Sequence, residues 1–175
     1  MKPGEPYDAI LDFAPCRIGA RFTGEALTGL RYLPPDTPLT RDTDQRAKHL
    51  ANELENYAHN PEHHFDLLFV PSGTPFQLRV WRALLAISAG QVLTYGALAA
   101  QLKTAPRAVG QACGANPLPL VIPCHRVVSA NGLGGFMHAA SGAPLDIKVW
   151  LLRHESGIQK SQAFPLLHPP HAPTG

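Results

Sequence analysis

Between Pro71 and Leu145 the sequence contains no aspartate or glutamate, while Arg79, Arg82, Lys103, Arg107 and Arg126 supply cations there. Residues 1–70 hold seven Lys/Arg against eleven Asp/Glu, and residues 71–175 hold eight against two. The second half therefore carries positive potential without a polybasic run, as expected of a folded module that meets a phosphate backbone; chance asymmetry is the alternative. Cysteine is scarce too, and three cannot make a fully paired disulfide framework. No run of about 18 apolar residues occurs, which argues against a bilayer-spanning helix. Met1 to Pro6 lack the charged-then-apolar layout of a signal peptide. These scarcities lead us to expect a soluble intracellular protein with reduced thiols. What is present is core material: 45% of the 175 residues are hydrophobic, enough for one ordinary domain or two small ones and too much for a disordered tail.

The first 70 residues read as a sheet-plus-helix unit. Ala9-Ile10-Leu11, then Ile18, Ala20 and Phe22, then Leu27, Leu30 and Tyr32 form short apolar runs separated by glycine, the pattern of a strand meander closed by Pro34, Pro35 and Pro38. Asp42-Thr43-Asp44-Gln45 offers an acidic N-cap with Gln three places on. In the helix that follows, Ala47, Leu50, Ala51, Leu54 and Tyr57 form one stripe, and Arg46, Lys48, Asn52, Glu53 and Asn56 are expected to stay wet. Asn60-Pro61 ends it, and Phe65 to Val70 is expected to be a strand.

The second half reads as mainly helical. Thr74 and Pro75 suit an N-cap and first helical position, with Phe76, Val80, Trp81, Leu84 and Leu85 as a stripe ending near Ala89-Gly90. Thr94 caps a short helix, the Lys103-Thr104-Ala105 turn follows, and Pro106 starts another, a pairing that suggests helix-turn-helix geometry. On the last of these, Val109, Ala112 and Cys113 point one way while Arg107, Gly110, Gln111 and Gly114 point the other. Glycine inside a helix costs of order 1 kcal/mol, so this bare face suggests close approach to another backbone, either inside the protein or outside it.

Chemistry concentrates in Asn116 to Val128, where three prolines stiffen the chain and Cys124-His125-Arg126 sits among branched apolar residues. A free thiol, with a pKa near 8.5, is only a few per cent thiolate at neutral pH and needs a base or cation to react. His125 and Arg126 are candidates; a passive core cysteine is the alternative. His59, His63 and His64 suggest a metal site, but Pro61 breaks the helix between them and Cys16 is the only nearby thiol. No metal is therefore expected.

Asn116-Pro117 and Ile122-Pro123-Cys124-His125-Arg126-Val127 carry a resemblance. Arg107-Ala108-Val109-Gly110, Lys148 and Leu151-Leu152-Arg153-His154-Glu155 extend it, as do Gly73 to Gln77, Val80-Trp81 and Thr94-Tyr95-Gly96. The stretch from about Pro71 to Ser156 resembles the O6-alkylguanine-DNA alkyltransferases, or methylated-DNA–protein-cysteine methyltransferases; in residues 1–70 only the layout is similar. The resemblance implies an α+β protein: a small ribonuclease-H-like N-terminal domain (1–70) and a mainly helical C-terminal domain with a helix-turn-helix (71–158); the proline-rich end without periodicity (159–175) is expected to be a flexible tail. It implies direct, single-turnover repair of O6-alkylguanine, with O4-alkylthymine as a second candidate, in double-stranded DNA approached from the minor groove. The base is flipped, and no cofactor, metal or membrane is involved. By this resemblance the alkyl group passes to Cys124. His125, oriented by Glu155, takes the thiol proton through a water, and Asn116 braces the turn. Tyr95 holds the flipped base and delivers a proton, and Arg107 fills the vacated place in the duplex. Gly96, Ala108, Gly110, Gln111, Pro119 and Val127 complete the DNA and substrate set.

The chain departs from the family pattern in a shorter spacing from Tyr95 to Arg107. It also departs after Gly134-Gly135-Phe136, where Met137 to Pro144 make a longer loop. Cys113 is expected to line the base pocket or to be a packed thiol. A monomer in a reducing cytoplasmic or nuclear compartment is expected. The competing readings are a non-catalytic binder of alkylated DNA, as in the alkyltransferase-like branch with Trp in place of the Cys, and a Cys-His-Glu hydrolase forming an acyl-enzyme.

Overall fold

A computed structural model describes residues 7–40, 44–137, 139 and 141–156. Strands β1 (Ala9–Phe13), β2 (Cys16–Thr23) and β3 (Ala26–Leu33) form an antiparallel meander. Side chains alternate across it, so Ala9, Leu11, Phe13, Ile18, Ala20, Leu27 and Leu30 enter one core. Gly24, at a φ of 55°, makes the tight turn between β2 and β3 that a side chain would strain.

Helix α1 (Gln45–His59) covers the sheet with Ala47, Leu50, Leu54 and Tyr57. Its N-cap is Asp44, whose side chain accepts from the Arg46 amide, two residues later than an Asp42 cap would sit; Asp42 lies outside the described residues. Glu53 also differs from expectation. It is only 6% exposed, and its carboxylate accepts from the Asp66 amide at 2.6 Å and from His63 Nε2 at 3.0 Å. Those two donors hold the segment after α1 against the helix.

That segment is not the strand its composition predicts. Leu27 donates to the Leu68 carbonyl at 2.8 Å and Val70 donates to the Leu27 carbonyl at 3.1 Å, a single parallel bridge centred on Phe69. Leu68 and Val70 remain 64% and 55% exposed, so only one face of the run finds a partner and the ladder stops after one rung.

Helix α2 (Pro75–Leu85) opens with a complete capping box between Thr74 and Gln77, worth about 1 kcal/mol. It buries Val80, Trp81 and Leu84 and ends earlier than the sequence suggests, with Ala86 as its C-cap. Ile87 then turns into the core and its carbonyl faces Arg126. Two-residue β4 (Leu93–Thr94) leads into α3 (Tyr95–Gln101), capped by Thr94, and a tight turn through positive-φ Lys103 leads into α4 (Pro106–Gly114). The Trp81 indole donates to the Ala112 carbonyl at 2.8 Å and so locks α2 to α4.

Beyond α4 a proline-rich loop, a 3₁₀ turn (Cys124–Arg126) and β5 (Val127–Val128) follow, and β5 pairs in parallel with β4. Helix α5 (Ala143–Ser156) closes the molecule; Ala143 and Pro144, expected in the loop, form its first turn. The two halves share one core. Leu30 of β3 donates to the Pro117 carbonyl at 2.8 Å, Phe13 meets Trp150 edge-on at 5.6 Å, and His154 bonds the Tyr57 carbonyl at 2.9 Å. The result is a mixed α/β chain with a small antiparallel sheet. Among the described residues no helix is long and apolar enough to cross a membrane.

Replacing Glu53 by Ala strands the Asp66 amide and His63. Loss of these two part-buried hydrogen bonds costs about 0.5–1.5 kcal/mol each, so the urea midpoint of Glu53→Ala should fall accordingly; an unchanged midpoint would mean the segment after α1 is held by its aromatic residues alone.

Candidate active site

Parallel pairing of Leu93 with Val127 and Thr94 with Val128 sets the start of α3 beside the end of the Cys124 turn. Tyr95 and Cys124, far apart in the chain, thereby line one cleft of about 720 Å³, which Arg107, Gly110, Gln111 and Cys113 of α4 also line. Gly96 and Phe136 lie on its walls as well. Among the other expected residues, Ala108 is half-buried, and Pro119 and Val127 are buried; none of these three lines the cleft. Arg107 and Gln111 are exposed at its rim, while Val109, Ala112 and Cys113 face inward.

Cys124 is 2% exposed at the floor. Burial pushes its thiol up, opposed by a hydrogen bond from Asn116, the charge of Lys148 and its own backbone amide. Asn116 holds the preceding loop: its Nδ2 donates to the Ile122 carbonyl at 2.8 Å and its Oδ1 accepts from the Leu118 amide at 3.0 Å. Burial likewise raises Cys113 to about 12, so both thiols rest protonated.

Behind Cys124 lies a buried polar cluster. His125 Nε2 donates to Glu155 Oε1 at 2.9 Å, which makes Nδ1 the lone-pair nitrogen; that atom is buried and has no hydrogen-bond partner among the described residues. Burial lowers the His125 pKa despite the carboxylate beside it, so the ring is neutral. Glu155 is held by more than His125. Arg126 Nε and Nη2 reach it at 3.0 and 2.8 Å, Tyr57 donates at 2.8 Å, and the Gly90 amide approaches at 3.4 Å. Burial alone would raise this carboxyl; the hydrogen bonds from His125 and Arg126, with the charge of Arg126, overcome it and hold the group well below the usual range.

Arg126 was expected as a possible activator of the thiol, yet its guanidinium is spent on Glu155 and the Ile87 carbonyl. Tyr57 was expected only as a core residue. Neither role had a local signal, because each depends on a partner brought in from another element.

The Tyr95 hydroxyl donates to the Gly135 carbonyl at 3.0 Å, and burial raises its pKa, so it is a protonated donor. Gly134, at a φ of 68°, allows this: a Cβ there would stand 2.9 Å from Tyr95 Cε2. The longer loop folds back after Phe136, where Phe136 and Ala139 exchange backbone hydrogen bonds; His138 and Ala140 lie outside the described residues, as does the tail from residue 157. The histidines weighed for zinc have other partners: His63 is bonded to Glu53, and His59 and His64 to backbone carbonyls.

Residues 75–157 match the family model described as 6-O-methylguanine DNA methyltransferase, DNA binding domain. A Methanosarcina mazei methylated-DNA–protein-cysteine methyltransferase is 44% identical over 116 residues, covering 65% of this chain and 70% of that protein. The chain belongs to the O6-methylguanine-DNA methyltransferase family. The Salmonella typhimurium relative of the same name is 58% identical over 86 residues, and that match spans about half of each protein, 47% of both. The similarity reaches beyond the matched domain in structure. The Mycobacterium tuberculosis O6-methylguanine methyltransferase superposes with a TM-score of 0.71 at 30% identity, covering 87% of this chain and 94% of that one. A structure of the M. tuberculosis protein OGT in complex with DNA does so with 0.69 at 34%, covering 85% and 91%.

The depressed Glu155 carboxyl links stability to acid. Its contribution is fully present above the unfolded carboxylate value of about 4.3 and is lost as pH falls toward the folded value. Stability measured by urea melts should therefore drop below about pH 4, and Glu155→Gln should flatten that drop while lowering stability at pH 7. An unchanged acid limb in Glu155→Gln would show that the carboxylate is not a source of acid lability.

Proposed function

We propose that this protein repairs DNA by moving an alkyl group from O6-alkylguanine in a duplex to Cys124, once per molecule. The observation that carries the reading is the shared cleft, with a buried cysteine at its floor and the small-residue face of α4, headed by Arg107, at its rim. A thiol in such a place has access to a base extruded from a helix and little access to bulk solvent. In this reading α3 and α4 act as a helix-turn-helix at the minor groove. Arg107 fills the place left by the flipped base, and the acid-free stretch tracks the phosphates. Residues 1–70 serve as a ribonuclease-H-like domain that braces the catalytic domain, residues 71–158. The protein works as a monomer in a reducing intracellular compartment, consistent with its three free thiols.

The geometry supports the following chemistry. His125 Nδ1, with its lone pair free and Nε2 bound to Glu155, accepts the Cys124 proton through a water. The sulfur attacks the alkyl carbon in line, an S–C bond forms, and the C–O6 bond breaks with its electron pair leaving on guanine. Tyr95 supplies a proton to the departing base. The product is a thioether that water does not readily reverse, which limits each molecule to one turnover. Asn116 keeps the Cys124 turn in place, and Gly96, Gly110 and Gln111 line the approach. Ala108, Pro119 and Val127 shape the surrounding elements. No step in this reaction calls for a metal or organic cofactor.

Intact-protein mass spectrometry after incubation with a duplex carrying one O6-methylguanine should show one added methyl group, mapped to Cys124 and saturating at one per protein. Cys124→Ala should bind the duplex and gain nothing. Tight lesion-dependent binding with no mass change in the wild type would replace transfer with mere recognition. Repeated turnover on an ester would support a hydrolase instead. In a second test, Arg107→Ala should slow repair of duplex more than reaction with free O6-benzylguanine, and equal losses on both would remove Arg107 from the groove.

A further inference from the structure

Helix α5 buries two opposite charges on one stripe, Lys148 and Glu155, each 0% exposed and two helical turns apart. Glu155 serves the His125 side of the Cys124 turn. Lys148 faces the other end and has no assigned role in the transfer reaction proposed above. Its ammonium spends its three N–H donors on main-chain carbonyls: Val127 at 2.7 Å, Leu133 at 2.7 Å and Gly135 at 3.1 Å. Val127 directly follows the 3₁₀ turn, and Gly135 is the residue whose carbonyl also accepts from Tyr95. The ammonium further lies 5.8 Å from the centre of the Tyr95 ring and 5.9 Å from that of Phe136, both cleft-lining aromatics. A single nitrogen thus ties together the nucleophile's turn, the wall of the cleft and the tyrosine.

Carbonyl dipoles solvate this cation, and no carboxylate neutralises it among its described partners. The titratable groups facing it are Tyr95 from α3, Cys113 from α4, and Cys124 and His125 from the turn. An apolar residue would fill a buried helix position at lower desolvation cost, so the retained charge calls for a use.

We propose that Lys148 is a positioning residue for alkyl transfer, pinning the Leu133–Gly135 wall and Tyr95 against the Cys124 turn while setting a positive charge beside the sulfur as it loses its proton. This rests on the transfer reading above. Misplacement of reacting groups by about an ångström costs on the order of 10²-fold in rate, which is the size of loss expected when the clamp is removed. The charge adds a pH signature. Burial lowers the Lys148 pKa to about 8, with Cys124 and Cys113 pulling the other way, so the ammonium is lost in the alkaline range.

The test is the single-turnover rate of methyl transfer from duplex O6-methylguanine to Cys124, followed by intact mass from pH 6 to 10. It is run for the wild type, Lys148→Met and Lys148→Gln, with circular dichroism and duplex binding measured in parallel. The wild-type rate should hold from pH 6 to about 8 and fall above that as the ammonium titrates. Lys148→Met should bind duplex like the wild type, transfer on the order of 10²-fold more slowly, and lose the alkaline decline. Lys148→Gln, which keeps two N–H donors but no charge, should recover part of the rate and none of the decline. A folded Lys148→Met with wild-type rate and profile would overturn the proposal. So would a wild-type rate that has not fallen by pH 10, a result that needs no variant to fold. A wild type that gains no methyl group at any pH would instead overturn the transfer reading itself.

Discussion

The Glu155 carboxylate is the point on which the rest of the structure turns. Taking such a group out of water costs several kcal/mol even after relaxation, and the cost is offset only where nearly every lone pair finds a donor. Here the donors come from α1 through Tyr57, from the segment after α2 through Gly90, and from the Cys124 turn through His125 and Arg126. Each element must be in place before the carboxylate is satisfied. The sheet-plus-helix half is therefore part of the support of the site. The same convergence decides the chemistry of His125, because a ring that donates from Nε2 to a carboxylate keeps its free lone pair on Nδ1.

A second constraint is that the Cys124 sulfur is stored as a protonated thiol. Burial raises both Cys124 and Cys113, and burial also keeps Tyr95 protonated. In the proposed reaction this resting state suits a protein with one use of its thiol: reactivity appears when a substrate fills the cleft and a base takes the proton. Helix α5 reaches both ends of the turn, with a carboxylate at one and an ammonium at the other, so its packing governs the electrostatics around the sulfur.

Local signals in the chain were legible. Thr74-Pro75, Thr94, and Pro106 start helices where their capping chemistry predicts, and the division of α4 into a buried Val109-Ala112-Cys113 face and a bare outer one follows from helical period alone. Misread positions share a cause. Glu53 is charged and was placed in solvent, yet it is buried because two donors from the following segment reach it. Phe65 to Val70 has strand composition, yet a strand also needs a neighbour, and β3 offers one rung.

The amino-acid sequence by itself determined where α2, α3 and α4 start, which face of α4 is apolar, how charge divides between the halves, and which cysteine sits beside a histidine. These are short-range properties, set by caps, periodicity and neighbours within a few residues. Tertiary structure alone decided that Tyr57 donates to a carboxylate 98 residues away, that Arg126 clamps that carboxylate, and that Lys148 holds three carbonyls of the cleft wall. Such assignments have no local signature, because the energy of a buried charge depends on which partners the fold delivers to it.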